Sequence, residues 1–155
     1  MAIVIEDGSN VAGANSYATA AQLTAYAAER GVTVTGVSDV LLIQAMDALE
    51  DKNFIGTKAN FDQPLQWPRL GVQIDGYSIA SDVIPADLIS SQIEIAIAID
   101  GGTNPLANQS RETLREKIGD IEVEYAPSAR AITYLAAAEA KLSSIVRKFA
   151  GIVRV

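Results

Sequence analysis

The middle of the chain limits the possible folds more than any other stretch, because it cannot form a long helix. After Phe54, glycines and prolines recur at short intervals: Gly56, Pro64, Pro68, Gly71 and Gly76. Both residue types destabilise a helix interior, proline by about 3 kcal/mol. Helical patterns occur on either side of this stretch. The sequence therefore predicts helices that flank a central, turn-rich segment.

Two helices are predicted before the interruption. The first covers residues 15–31, with Asn15 or Ser16 as its N-terminal cap and Gly31 at its C-terminal end. The second covers residues 38–54 and begins with a serine cap. Its apolar residues recur at helical spacing, namely Leu42, Ala45, Met46 and Leu49. Because only a short loop joins the two helices, we expect them to pack together as a hairpin.

Residues 84–100 carry two conflicting patterns. Four isoleucines alternate as they would in a strand: Ile93, Ile95, Ile97 and Ile99. Pro85 instead suits the first turn of a helix, and the length of the segment also favours a helix. A third helix with so much isoleucine is expected to be buried on more than one side, in the chain's own core or against a neighbouring subunit. The four isoleucines are therefore candidates for a subunit interface.

Two β segments and a last helix complete the predicted fold. An Asp-Gly turn between short apolar runs predicts a hairpin at residues 72–79. Alternation with glutamates predicts a half-exposed strand whose apolar face carries Ile121, Val123 and Tyr125. The last helix is expected to begin near Ser128 and to reach Phe149. The predicted class is mainly α: a small bundle of about four helices with a short β-hairpin and one further strand.

Two residue types that carry much of protein chemistry, cysteine and histidine, are absent. Their absence excludes disulfides, thiolate metal sites, and nucleophile systems of the Ser-His-Asp and Cys-His kinds. No other group of residues has the spacing of a catalytic or metal site, so we expect neither enzymatic activity nor a cofactor. No apolar run approaches the ~18 residues that cross a bilayer, so no membrane partner is expected.

Charge is distributed unevenly along the chain, whose formal net charge is -7. Residues 1–110 contain 13 acidic and 4 basic side chains, whereas residues 111–155 contain 6 and 8. No acidic residue follows Glu139. We predict one domain over residues 1–145 and a basic, apolar tail over residues 146–155. Such a tail suits an acidic protein groove or a phosphate backbone, and a solvated chain end is the alternative.

The only tryptophan of the chain stands in the triplet Trp67-Pro68-Arg69. A tryptophan beside an arginine, with Tyr77 nearby, is part of the pattern of a surface that stacks single-stranded nucleic acid. The acidic excess opposes that interpretation, because phosphate binding depends on positive charge. We favour a packed corner in which Trp67 seals the core, Pro68 fixes the turn, and Arg69 reaches a carboxylate or a carbonyl.

The order of several motifs resembles that of one protein family. The motifs are "GANSYATAAQLTAYAAERG", "ALEDKNFIG", "LQWPRLGV", "IPADL", "REKIGDIEVEYA" and a terminal "IVRV". Together they resemble the head-completion or head-tail connector (adaptor) proteins of tailed phages. Some members of that family carry the label of a DnaT-like single-stranded DNA-binding protein. The resemblance covers nearly the whole chain and rests on the co-linear order of the motifs.

The resemblance implies a structural virion protein that forms a ring, usually of twelve copies, beneath the portal protein. Such a ring extends the channel through which double-stranded DNA passes without sequence-specific binding, and it supports the next neck or tail-completion protein. It implies a location in the phage neck after assembly in the host cytoplasm. The C-terminal segment of the family commonly reaches the portal, and on this chain it contains Val146, Arg147, Lys148, Phe149, Ile152, Val153, Arg154 and Val155. The alternative is a DnaT-like protein that binds single-stranded nucleic acid.

Overall fold

The structure, a computed structural model, describes residues 2–106 and 135–147, and the backbone of two strands between them. Its helices are α1 (Ala20–Glu29), α2 (Ser38–Glu50), α3 (Ala86–Asp100) and α4 (Ala136–Leu142). Its strands are β1 (Thr57–Lys58), β2 (Arg69–Leu70), β3 (Gln73–Ile74), β4 (Tyr77–Ser78), β5 (Arg115–Ile118) and β6 (Ile121–Glu124). The described strands form three antiparallel pairs, β1–β2, β3–β4 and β5–β6. The predicted class, mainly α with about four helices, is confirmed.

Helix α3 is the central element of the bundle, because it packs against each of the other three helices. Its inward face includes Leu88, Ile93, Ile95 and Ala96, all of them buried. The helical interpretation of the isoleucine-rich segment is therefore correct, and its burial on several sides comes from the chain's own core. The first two helices pack together as predicted, but their contact with each other is not their main one. Helix α1 packs on both α2 and α3, and α2 packs most extensively on α3.

The first helix begins later than the sequence predicted. Its N-cap is Thr19, whose side chain accepts a hydrogen bond from the backbone N–H of Gln22, while the Gln22 side chain accepts one from the Thr19 N–H. Asn15 and Ser16 do not cap it, because their side chains bind elsewhere. Asn15 Oδ1 accepts from Val4 N at 2.8 Å, and Ser16 Oγ donates to Ala18 O at 2.7 Å. The predicted end at Gly31 is confirmed by its left-handed φ of +69°.

The central segment folds into two short hairpins. Strands β3 and β4 form the predicted one, with a turn at Asp75 and Gly76, whose φ angles of 51° and 84° suit an Asp-Gly turn. Strands β1 and β2 form a second hairpin that the sequence pattern did not reveal. A third pair joins β5 to β6, so the single strand expected near Ile121 has an antiparallel partner.

The last helix ends earlier than predicted. Helix α4 stops at Leu142, and the chain turns so that Val146 forms an antiparallel bridge with Phe54. Ile145 is fully buried in this turn, and its carbonyl accepts a hydrogen bond from Ile55 N at 3.0 Å. Burial of Ile145 and pairing with the segment after α2 therefore replace the continued helix. The predicted start near Ser128 lies outside the described residues.

A buried glutamine joins the helices to the N-terminal segment. The Gln92 side chain, on α3, is fully buried and makes four hydrogen bonds. Its Oε1 accepts from the backbone N–H groups of Tyr17 and Ala18 at 2.9 and 3.0 Å. Its Nε2 donates to Ser16 Oγ at 2.7 Å and to Leu42 O, on α2, at 2.9 Å. One side chain thus satisfies backbone groups from two distant parts of the chain, groups that cannot reach water.

Replacing Gln92→Met, which keeps the size of the side chain but removes its amide, is expected to lower the free energy of unfolding by about 3 kcal/mol or more. The reason is that two buried N–H groups and one carbonyl lose their partner. Urea unfolding followed by circular dichroism measures the loss. The matched control is Gln44→Ala on the exposed face of α2, for which we expect a change within about 0.5 kcal/mol. Equal effects of the two substitutions would contradict the role of Gln92.

Candidate functional site

Trp67 lies in the protein core and is not available to a ligand. Its side chain is 0% exposed, and its ring meets the ring of Phe54 edge-on, with centroids 6.2 Å apart and an interplanar angle of 82°. Its backbone N–H donates to the Tyr17 hydroxyl at 3.0 Å, and its peptide bond to Pro68 is cis. The interpretation of this triplet as a packed corner agrees with this placement, and base stacking on the Trp67 ring is sterically blocked.

Arg69 is also buried, with 8% of its surface exposed, and it binds backbone carbonyls. Its Nε donates to Ile55 O at 2.7 Å, its Nη1 to Gln66 O at 3.1 Å, and its Nη2 to Gly56 O at 3.0 Å. Among the described residues, no carboxylate lies within 4.0 Å of its guanidinium. Of the two predicted partners, a carboxylate or a carbonyl, the structure has the carbonyl. Arg69 therefore crosslinks the segment after α2 to the loop that carries Trp67.

A polar network beneath this corner connects it to α1 and α2. The Tyr17 hydroxyl accepts from Trp67 N and donates to Glu50 Oε1 at 3.4 Å, and that carboxylate oxygen also accepts from Gln66 N at 3.0 Å. Burial raises the pKa of Glu50, and burial together with the Glu50 charge raises the pKa of Tyr17. A tyrosine with a raised pKa stays neutral at physiological pH, so the Tyr17 hydroxyl keeps the proton that it donates to Glu50 and the network holds the loop.

The predicted tail begins at a fixed point on the body. Besides the bridge that joins Val146 to Phe54, Arg147 N donates to Asn53 O at 2.8 Å and Arg147 Nη2 donates to Gly56 O at 3.3 Å. The structure thus brings the first two residues of the predicted portal contact next to the Trp67 corner. The other six lie outside the described residues: Lys148, Phe149, Ile152, Val153, Arg154 and Val155.

The predicted subunit-interface isoleucines differ in their accessibility. Ile93 and Ile95 are 3% and 2% exposed, because both pack in the core of the chain. Ile97 and Ile99 are half-buried at its margin. An isoleucine that already fills the core has little surface left for a second copy. Contact of any of the four with a neighbouring subunit stays a prediction.

The described residues were compared with the requirements of a metal site and of a membrane span. No three Asp or Glu side chains come close enough together to hold a metal ion in the residues that the structure describes. None of the helices described is long and apolar enough to cross a membrane.

One exposed aromatic side chain was not predicted from the sequence. Phe61, in the loop between β1 and β2, is 99% exposed, although a phenylalanine usually lies in the core. The available signal was its position between Asn60 and Asp62, in a stretch of turn-forming residues where no strand or helix could bury it.

Comparison with known proteins identifies a family for the whole chain. The model of the family described as "Putative DnaT-like ssDNA binding protein" matches residues 1–155. The chain belongs to this family. No curated protein and no solved structure matches the chain. The DnaT-like label expected from the order of motifs is therefore confirmed, while the connector identity that the same motifs suggested stays a prediction.

The description of the DnaT-like family and the geometry of the Trp67 corner lead to different expectations. A protein that binds single-stranded DNA commonly offers exposed aromatic rings and a cationic groove. In this member of the family, the tryptophan and the arginine next to it are both committed to the fold. If the chain binds DNA, it does so with other residues.

We predict that Arg69→Lys lowers the free energy of unfolding by about 2 kcal/mol or more. Lysine keeps the positive charge but cannot reproduce the planar fork that reaches several buried carbonyls. Chemical denaturation measures the change, and Arg30→Lys on the exposed end of α1 is the control, with a loss of at most about 1 kcal/mol. An Arg69→Lys protein as stable as the wild type, but weaker in binding an oligonucleotide, would instead make Arg69 a ligand contact.

Proposed function

We propose that the protein is a structural assembly protein of a tailed phage, a head-tail connector that forms a ring beneath the portal. In this role the ring extends the DNA channel and supports the next neck or tail-completion protein. The order of motifs along the chain suggests this family role, and three properties of the described residues support it.

The observation that carries the proposal is the anchored origin of the basic tail. Ile145 is fully buried, and the residues on either side of Val146 hydrogen-bond to Asn53 and Ile55. The eight residues that follow contain two cations, four large apolar side chains and no acid. A basic, apolar sequence whose preceding residues are held on the body suits a docking peptide, because the body fixes where that sequence begins.

The charge of the body supports a conduit rather than a DNA-binding groove. Residues 2–106 and 135–147 contain 14 carboxylates and 6 cations. A duplex that must slide through a ring without sticking is favoured by neutral or repulsive walls, whereas retention needs many phosphate contacts. An acidic subunit therefore fits passage of DNA better than its capture.

A ring also limits which groups can join the subunits. Cyclic contacts beyond a dimer are heterologous, so each subunit needs two different and complementary patches. Since Ile93 and Ile95 are committed to the core, the patches must use groups that remain exposed. Among the described residues, exposed apolar side chains occur in the α1–α2 connection and the first turn of α2, which carry Val32, Val37 and Val40, and in the hairpins, which carry Phe61 and Tyr77.

The second candidate function is binding of single-stranded DNA, and the description of the matching family favours it. Phe61 and Tyr77 are the exposed aromatic rings that stacking would use, since Trp67 is buried. The acidic excess weakens this candidate, because each phosphate contact depends on a cation. We rank it second for that reason.

Deleting residues 148–155 is expected to abolish binding to the portal protein and to leave the body folded. The core contacts of Ile145 and the bridge at Val146 remain in the shortened chain, so its free energy of unfolding should fall by at most about 1 kcal/mol. Size-exclusion chromatography of each form with the portal protein measures binding. Lys148→Gln with Arg154→Gln is the milder variant, which should bind more weakly and lose its salt dependence. Unchanged portal binding after the deletion would remove the tail from the mechanism.

A labelled oligothymidine is expected to show no saturable binding at physiological salt. Fluorescence anisotropy of the label is the suitable readout, because the buried Trp67 is a poor reporter of surface contacts. Affinity that falls steeply with salt, and falls further in Phe61→Ser and Tyr77→Ser but not in Val37→Ser, would reverse the ranking of the two functions.

A further inference from the structure

Cations that have neither a carboxylate nor an aromatic partner lie together at one place among the described residues, and one of them, Arg69, is buried. Of the six cations in residues 2–106 and 135–147, Lys52 pairs with Glu139. Arg30 and Lys141 lie over the ring of Tyr26, with the charged groups 3.3 and 5.8 Å from its centroid. The remaining three form what we call the cation cluster, Lys58, Arg69 and Arg147, beside the β1–β2 hairpin.

The geometry of the cluster brings like charges together. Nη2 of Arg69 and Nη2 of Arg147 donate to the same acceptor, the carbonyl oxygen of Gly56, at 3.0 and 3.3 Å. Lys58 lies directly opposite Arg69 in the β1–β2 ladder. Two guanidinium groups on one carbonyl repel each other, and burial together with the Arg147 charge lowers the pKa of Arg69.

The protein supplies too little negative charge to balance this cluster. Within the described residues, no carboxylate lies within 4.0 Å of any of the three cations. The half-buried Glu50 is near enough for Lys58 and Arg69 to affect its pKa, but its hydrogen bonds are to Tyr17 and Gln66. Glu50 therefore acts on two of the three cations, Lys58 and Arg69. An added anion beside the exposed Arg147 would relieve the repulsion.

An apolar group lies close to the cluster in the chain. Phe61, almost fully exposed, is on the loop that joins β1 to β2 and follows Lys58 by three residues. Burial of apolar surface is favourable, so a partner that covers Phe61 gains affinity. In the sequence, Arg147 continues directly into Lys148 and Phe149. The same combination of positive charge and apolar side chains thus extends from the hairpin into the tail.

We propose that the cation cluster and Phe61 form a docking surface for an acidic segment of a partner protein, one that carries carboxylates next to leucine-like side chains. This inference rests on the proposed assembly function and names the part of the body that joins the tail in holding the partner. Carboxylates of the segment bind Arg147 and Lys58, and an apolar side chain of the segment covers Phe61.

A protein segment fits this surface better than a nucleic acid does. A polynucleotide is charged along its whole length, and beyond the cluster it meets a body with more than twice as many carboxylates as cations. At physiological salt the Debye length is only about 8 Å, so the cluster attracts charge locally and does not offset the acidic body further away. An acidic peptide places its few charges at the cluster alone.

The test uses the full chain and a labelled peptide of repeated Glu-Glu-Leu units, followed by fluorescence anisotropy. The double variant Lys58→Gln with Arg147→Gln is expected to bind about tenfold more weakly, since each exposed ion pair contributes up to about 1 kcal/mol. Glutamine at position 147 can still donate to a carbonyl, and urea unfolding verifies that the variant is folded. Lys141→Gln is the matched control and should bind as the wild type does.

A second pair of variants tests the apolar part. Phe61→Ser is expected to weaken peptide binding about fivefold or more, whereas Val37→Ser, which removes an exposed apolar side chain elsewhere, should leave it unchanged. Because Phe61 is exposed, its replacement does not endanger the fold.

Three results would overturn the inference. They are no binding of the peptide by the wild type, equal binding by the double variant and the Lys141→Gln control, and tighter, cluster-dependent binding of oligothymidine than of the peptide. The inference and the proposed function fail separately. A double variant that binds the portal as well as the wild type refutes only the docking surface, and a wild type that binds the peptide through the cluster but never the portal refutes only the connector role.

Discussion

The fold depends on one buried amide. Gln92 takes hydrogen bonds from the backbone that leads into α1 and gives one to a carbonyl of α2, so it fixes three segments relative to one another. Tyr17, held in this way, receives the N–H of Trp67 and contacts Glu50 at the end of α2. A connected set of hydrogen bonds therefore extends from the central helix to the Trp67 loop. Since each bond lies in a region of low polarity, loss of one partner leaves others unsatisfied.

Features with local signals could be predicted from the sequence. The Asp-Gly hairpin, the left-handed end at Gly31 and the helix after Pro85 each follow from a few neighbouring residues, and each is present. Features that depend on distant partners could not. Asn15 and Ser16 have the chemistry of helix caps, but Val4 and Ala18 engage them first. Nothing near Ser143 indicates that the chain will turn back to pair with Phe54, because that bridge joins residues far apart in sequence.

The candidate sites show the same division. Composition and the lone tryptophan were enough to predict a packed corner, since an acidic chain with one indole has a poor surface for DNA. The convergence of Arg69 and Arg147 on Gly56 was not predictable, because three segments bring these groups together. The exposure of Phe61 was not predicted, because hydrophobic periodicity reveals helices and strands and says little about a single residue in a turn.

The packed Trp67 corner and the acidic excess of the described residues support the proposed contact with proteins. The description of the DnaT-like family names binding of single-stranded DNA. The two residues of the Trp67 triplet that would contact DNA, Trp67 and Arg69, are instead buried in the core. The cation cluster is compatible with both proposed functions, because positive charge next to an exposed aromatic ring suits an acidic protein segment and single-stranded DNA alike. Its location beside the root of the tail favours a docking role.

Electron microscopy of the purified protein, alone and mixed with the portal protein proposed as its partner, tests the connector role most directly. The proposed function predicts a closed ring of subunits attached to the portal, coaxial with its channel. Portal particles that stay bare, with the protein monomeric at every concentration, would contradict it.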